Sequence, residues 1–157
     1  YPDKNLTYTS VDPFQKKHWS NIGLYNIARM KKDFIKTEHI SELSGIAMTQ
    51  LYKNKEKYDF IFIDGGHSYE VVYSDCDIAD KLLNLNGLVV HDDVLHDGVK
   101  KAINQFYNLE YSNKYERVII DSYNFNKIIK TNEKMFVTKK VNSFTNPSTM
   151  YAFRKIN

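Results

Sequence analysis

Two short apolar runs, each stopped by acid, constrain this chain more than any other feature. Phe60-Ile61-Phe62-Ile63 halts at Asp64-Gly65-Gly66, and Leu88-Val89-Val90 follows Asn86-Gly87 and halts at His91-Asp92-Asp93. Runs that are apolar throughout, not alternating, suit strands buried on both faces of a parallel sheet. A helix is expected between them. Ser68 suits its N-cap, and Glu70 places negative charge in the first turn. Val72, Cys76, Ala79 and Leu83 follow the three-four spacing of a core-facing stripe, and Gly87 suits the exit. Strand, helix, strand in this order is a βαβ unit, whose crossover is expected to be right-handed.

The flanks extend the alternation. Leu6–Val11 reads as a strand ending at Asp12-Pro13, followed by a helix carrying Trp19, Ile22, Ile27 and Met30. A strand over residues 38–43 leads to a helix starting at Ser44 with Ala47, Met48 and Leu51 inward. A further helix is expected over residues 98–110, with Val99, Ala102, Ile103 and Phe106 on one side and Asp97 as its cap. Residues 117–120, 135–138 and 150–154 read as late strands, the last two as an antiparallel pair across 142–148. This order argues an α/β domain.

Composition narrows the function classes. The 157 residues fit one domain with a core that needs no disulfide. A net charge of +3, from 22 basic and 19 acidic side chains, is too mild to argue for nucleic acid. Lys127, Lys130, Lys134, Lys139 and Lys140 read as a solvated face. The twelve Tyr and nine Phe are scattered and not paired with basic clusters, so packing explains them better than base stacking. Cys76 is the single cysteine, which rules out an intrachain disulfide and favours a reducing, cytoplasmic location. No apolar run approaches the roughly 20 residues of a membrane span, and the opening residues lack a signal-peptide core.

Three expected strands end in acid: Val11-Asp12, Ile63-Asp64 and His91-Asp92-Asp93. Ligands of open α/β sheets bind beyond the carboxyl ends of the strands. Carboxylates gathered on one rim repel unless a cation or hydrogen-bond donors meet them, and an all-oxygen set suits Mg²⁺ or a similar ion. Each Asp alone is equally a turn or cap residue; the set within one βαβ unit is what raises the cation reading. Gly65 and Gly66 allow positive φ or close backbone approach to a ligand. His67 then stands before a helix start, as a packing or capping residue or, among those acids, as a base or metal-shell donor.

The segment from Tyr58 through Asp64-Gly65-Gly66-His67-Ser68-Tyr69, with Asp75, Leu82-Leu83, Gly87 to Asp93, Gly98-Val99 and Ala102, resembles the class I methyltransferases of the methyltransferase-24 type. It is also similar to metal-dependent O-methyltransferases acting on antibiotic sugars, cephamycin precursors and catechols. Upstream, Ser10-Val11-Asp12-Pro13-Phe14 is similar to that group's second strand. The resemblance implies a Rossmann-like methyltransferase fold, a mostly parallel twisted sheet with helices on both faces and an antiparallel late hairpin. It implies S-adenosylmethionine as cofactor, a divalent cation such as Mg²⁺, and a small hydroxylated substrate rather than nucleic acid or membrane. By position, Asp12 matches the acid that binds the ribose hydroxyls, and Ser44 the position beside the adenine. Asp64 and Gly65 match the cofactor side of the centre. Asp64, Asp92 and Asp93 match the metal set, and Asp64 and His67 the catalytic pair.

Members of that group open with a strand and a Gly-x-Gly loop cradling the cofactor. The six glycines here, at 23, 45, 65, 66, 87 and 98, form no such loop. The sequence is therefore expected to be a single methyltransferase-like domain, 1–157, incomplete at its amino end. The rival expectation is a non-catalytic, methyltransferase-like binding or scaffold module. A phosphoacceptor receiver also clusters Asp at strand ends, but places its acidic pair before the single Asp; here Asp64 precedes Asp92-Asp93. Oligomeric state has no signature in the sequence, although an exposed late hairpin could pair copies into a homo-oligomer. The methyl acceptor has no signature.

Overall fold

The computed structural model describes residues 6–30, 35–120, 128–130 and 150–157. The chain divides into two compact units, Tyr1–Gln50 and Leu51–Asn157. Among the described residues, no helix is long and apolar enough to cross a membrane.

In the first unit, β1 (Leu6–Val11) pairs in parallel with β2 (Ile35–Ile40), Leu6 opposite Ile35 and Val11 opposite Ile40. The second strand thus lies three residues earlier than its apolar pattern suggests, and residues 41–43 form the approach to the next helix. The expected single helix after β1 is two: α1 (Gln15–His18) and α2 (Ile22–Met30). Trp19 caps the first, and Ser20 and Asn21 take positive φ (47° and 62°), which breaks the helical path between them. α3 (Ser44–Lys53) starts where expected, with Ala47, Met48 and Leu51 buried.

The second unit holds the βαβ unit. β3 (Tyr58–Ile63) and β4 (Leu83–His91) are parallel, with Phe60 to Ile63 opposite Leu88 to His91. Joining them is α4 (Tyr69–Leu82), whose N-cap Ser68 accepts from Val71 N–H. Val72, Cys76, Ala79 and Leu82 are buried along its inner stripe. Fully burying side chains such as Val72 and Leu82 stabilises by about 1.5–3 kcal/mol each. The helix ends at Leu82, earlier than Gly87 suggested, because Leu83 is already extended (φ −78°, ψ 131°) and starts the strand. Leu83 is still buried.

Beyond β4, α5 (Asp97–Ile103) continues as a π-helical segment, Asn104–Glu110. His96, not Asp97, occupies the N-cap position, and Asp97 lies in the first turn. β5 (Tyr115–Ile120), β6 (Ile128–Lys130) and β7 (Tyr151–Lys155) complete a sheet of order β3-β4-β7-β5-β6. β7 is antiparallel to both β4 and β5, and β6 is antiparallel to β5. The expected strand at 135–138 and most of the lysine-rich stretch lie outside the described residues.

Val90, Val118 and Ala152 pack together with Leu88 where β4, β5 and β7 meet. The Tyr107 and Phe153 rings stack at 4.2 Å. Asp80, on α4, ties the late strands to this helix: Lys114 and Tyr115 donate to it at 2.7 and 2.8 Å, and Lys155 lies at 3.1 Å. Burial pushes the Asp80 carboxyl up, but those three partners outweigh it and hold it below the usual range.

Candidate functional site

The parallel pairing of β3 with β4 fixes the site. Ile63 and His91 are register partners, so the residues that follow them leave the sheet side by side. Asp92 N–H donates to the Ile63 carbonyl at 2.9 Å, extending the ladder one step past the strands. Asp64, Gly65, Gly66, His67, Asp92 and Asp93 consequently line one cleft, with His91, Val72 and Val99 behind them. Its volume is about 10 Å³, room for about one water or ion and no more.

Charge is concentrated there. The Asp64 carboxyl is pushed above the ordinary 3.8, first by burial and then by the negative charges of Asp92 and Asp93; His67 partly offsets them. His67 Nε2 meets Asp93 Oδ2 at 3.0 Å. Because a carboxylate only accepts, Nε2 carries the hydrogen of this contact, and in the neutral tautomer the lone pair is on Nδ1. Asp92 Oδ1 accepts the Asp93 N–H at 2.7 Å. Asp93 itself sits at φ 54°, a left-handed conformation that Asp tolerates better than bulky residues and that is enriched at functional sites.

Neither Gly65 nor Gly66 adopts positive φ. A Cβ on Gly66 would come within 3.2 Å of Val71 Cγ1, while one on Gly65 would make only ordinary contact with Asp75. The glycine that matters most is Gly98, in the first turn of α5. A Cβ there would run into the carbonyl oxygen of His67 and lie 3.0 Å from Tyr69 N. Gly98 therefore lets α5 press against the loop that carries His67.

That approach brings in a residue the sequence reading missed. The His96 ring stacks on His67, centroids 4.1 Å apart with 25° between planes. His67, Asp93 and His96 each offer a donor atom, all within 4.8 Å of one another. The i, i+3 spacing of Asp93 and His96 was the available signal, closed here by a backbone hydrogen bond from His96 N–H to the Asp93 carbonyl at 2.9 Å.

His91 lies beneath the cleft, fully buried. Its Nε2 faces the Tyr107 hydroxyl at 3.0 Å and Cys76 Sγ at 3.9 Å. Burial lowers its pKa to about 3, so the ring is neutral, and raises that of the Cys76 thiol to about 12.

Asp12 and Ser44 belong to the first unit. Asp12 follows β1, its N–H donating to the Ile40 carbonyl at 3.1 Å. Its carboxylate accepts from Phe14 N–H at 2.7 Å and from Gln15 Nε2 at 2.5 Å. With Tyr8, Ser10, Gln15, Asn26 and His39, it lines a pocket of about 260 Å³. Ser44 is the first residue of α3 and is not among that pocket's lining residues.

The fold resembles several solved structures. A protein assigned as a SAM-dependent methyltransferase from Streptococcus mutans superposes with TM-score 0.56 at 10% identity, over 96% of this chain and 44% of that one. The O-methyltransferase from Bacillus cereus, solved in complex with SAH, gives 0.56 at 14% identity, over 96% and 74%. SMU.776, assigned as a methyltransferase and complexed with SAH, gives 0.56 at 11%, over 96% and 45%. The chain thus spans less than half the length of two of these neighbours. No curated protein sequence matches it. Residues 2–94, more than half of the chain and including the whole acidic rim, match the family model described as Methyltransferase domain, of the methyltransferase-24 type. With the Rossmann-like α/β architecture, this match establishes that the chain belongs to that methyltransferase family.

Proposed function

We propose that the chain serves S-adenosylmethionine-dependent O-methylation of a small hydroxylated molecule, with a divalent cation at the strand-end acids. The observation that carries this reading is the gathering of Asp64, Asp92 and Asp93 around one cleft at the end of the parallel β3–β4 pair. There burial, and then the charges of Asp92 and Asp93, push the Asp64 carboxyl up. The donor set suits a hard cation: three carboxylates, of which Asp92 and Asp93 each retain an oxygen beyond their bonds to Asp93 N–H and His67. Among the described residues, the trio whose donor atoms already lie within 4.8 Å of one another is His67, Asp93 and His96, so Asp64 and Asp92 would turn inward to take up an ion. Asp64, Asp92 and Asp93 would hold the ion. When bound there, it supplies positive charge that lowers the pKa of an acceptor hydroxyl.

The chain's own residues do the rest. Asp93 fixes the His67 ring, leaving Nδ1 as the proton acceptor for the substrate hydroxyl. Asp64 lies beside it as a second carboxylate able to accept a proton, its affinity raised by burial and like charge. The small cleft excludes the substrate body, so the acceptor lies in front of the rim. Asp12, held by Phe14 and Gln15, presents a preorganised carboxylate to paired ribose hydroxyls, in a pocket that Ser10 and Asn26 also line. Ser44 and Gly65 complete the proposed cofactor positions on the strength of the family resemblance. The SAH found in two of the fold's neighbours supports the same cofactor here.

The test is SAH formation from S-adenosylmethionine and a panel of catechols and sugar hydroxyls, with the full-length protein. Turnover is expected with Mg²⁺, to vanish with a chelator, and to fall at least 100-fold in Asp64→Asn while circular dichroism is unchanged. Turnover insensitive to both treatments would contradict the mechanism. Absence of saturable SAH binding by calorimetry would favour the scaffold reading instead.

A further inference from the structure

We infer that His67, Asp93 and His96 form a second cation site, one for a nitrogen-preferring divalent ion such as Zn²⁺, adjoining the acidic rim and sharing Asp93 with it. Two segments deliver the donors: the loop after β3 carries His67, and the single turn from β4 to the N-cap of α5 carries Asp93 and His96. Their donor atoms already lie within 4.8 Å of one another, and the His67–Asp93 pair stands at 3.0 Å. Tetrahedral zinc with ligands at about 2.0–2.1 Å needs donors roughly 3.3 Å apart. The two imidazoles are stacked, so the His96 ring, which is exposed, turns off the face of His67 to aim its in-plane lone pair at a shared ion.

The backbone beneath the trio is held in place. The Asp93–His96 turn is closed by its own hydrogen bond, Asp93 is kept at φ 54°, and Gly98 lets α5 press on the His67 carbonyl. His96 occupies an N-cap position yet makes no side-chain capping bond, so its imidazole contributes nothing to the helix start. Two imidazoles and one carboxylate are a donor set suited to zinc, with the fourth position left to water or a ligand oxygen. Mg²⁺ demands oxygen and an octahedral shell, so donor chemistry sorts the two ions between neighbouring sites. Binding uses the other neutral tautomer of His67: the ring hydrogen moves from Nε2 to Nδ1, the Nε2 lone pair goes to the metal, and Asp93 becomes a ligand. On the proposed methyl-transfer reading, on which this consequence rests, zinc here takes His67 out of use as a base.

The experiment is direct zinc titration of the chain, with neither S-adenosylmethionine nor acceptor present, so its outcome is independent of catalysis. Calorimetry with ZnCl₂ is paired with visible absorption of the Co²⁺-substituted protein. One zinc per chain is expected. Affinity should fall at least tenfold in His96→Gln, change less than threefold in Asp64→Asn, and survive millimolar Mg²⁺. Circular dichroism checks each variant's fold, and His96→Asn repeats the test if His96→Gln is misfolded. No zinc binding by the folded chain would overturn the proposal. So would affinity indifferent to His96, or affinity lost equally with Asp64, which would place the ion among the strand-end acids.

Discussion

His67 and Asp93, 26 residues apart in sequence, meet through Nε2 and Oδ2 at 3.0 Å on the rim of a parallel strand pair. The contact exists because the loop after β3 and the turn after β4 leave the sheet as neighbours. It orients an imidazole beside two further carboxylates, so a structural bond also sets where a proton can go.

The closeness of α5 to that imidazole depends on a missing methyl group. In Gly98→Ala, the new Cβ would collide with the His67 carbonyl, and backbone on both sides must shift. Overpacking of this kind costs about 1–3 kcal/mol. Urea denaturation should show a loss of that order, and the chemical shifts of His67 and His96 should move together. A variant as stable as the parent, with both rings unmoved, would contradict the packing described.

Asp64 is held against its own preference. A carboxyl whose pKa is higher folded than unfolded binds more protons in the native state, so stability falls as pH rises through that range. Near neutral pH, without metal, Asp64→Asn should therefore raise the thermal midpoint even as it removes the proposed activity. A lowered midpoint would show that Asp64 is a structural partner and not a strained functional group.

His91 gives a separate pH dependence. Its folded pKa is depressed by burial from 6.5 to about 3, so the unfolded chain binds the extra proton between those values. The stabilisation is complete above about 6.5 and is lost progressively as pH falls toward 3. With a slope of about 1.4 kcal/mol per pH unit, roughly 2 kcal/mol should disappear between pH 6.5 and 5. Denaturant unfolding at both pH values measures it, and His91→Gln should flatten this part of the profile.

Much of this was legible in the sequence because it is local. The apolar runs ending at Asp64 and at Asp92-Asp93, the strand ending at Asp12, the Ser68 cap and the Val72-Cys76-Ala79 stripe each depend on neighbours a few residues away. The burial on both faces expected of the run ending at Asp64 fails at Phe60 and Phe62, which are exposed. What was not legible depends on long-range geometry. The antiparallel entry of β7 between β4 and β5 is a choice of partner that no local pattern encodes. His96 becomes part of the site only because Gly98 allows α5 to touch the His67 loop. Leu83 fits the helical stripe and begins the strand, so periodicity alone overran the helix end.

The central claim, that the strand-end acids form one cation-binding rim, is tested most directly by following the Asp64 carboxyl ¹³C shift against pH, with and without saturating Mg²⁺. The expected result is a midpoint above the ordinary aspartate value in metal-free protein, moved well below it by the ion. A midpoint that Mg²⁺ leaves unchanged would contradict the claim.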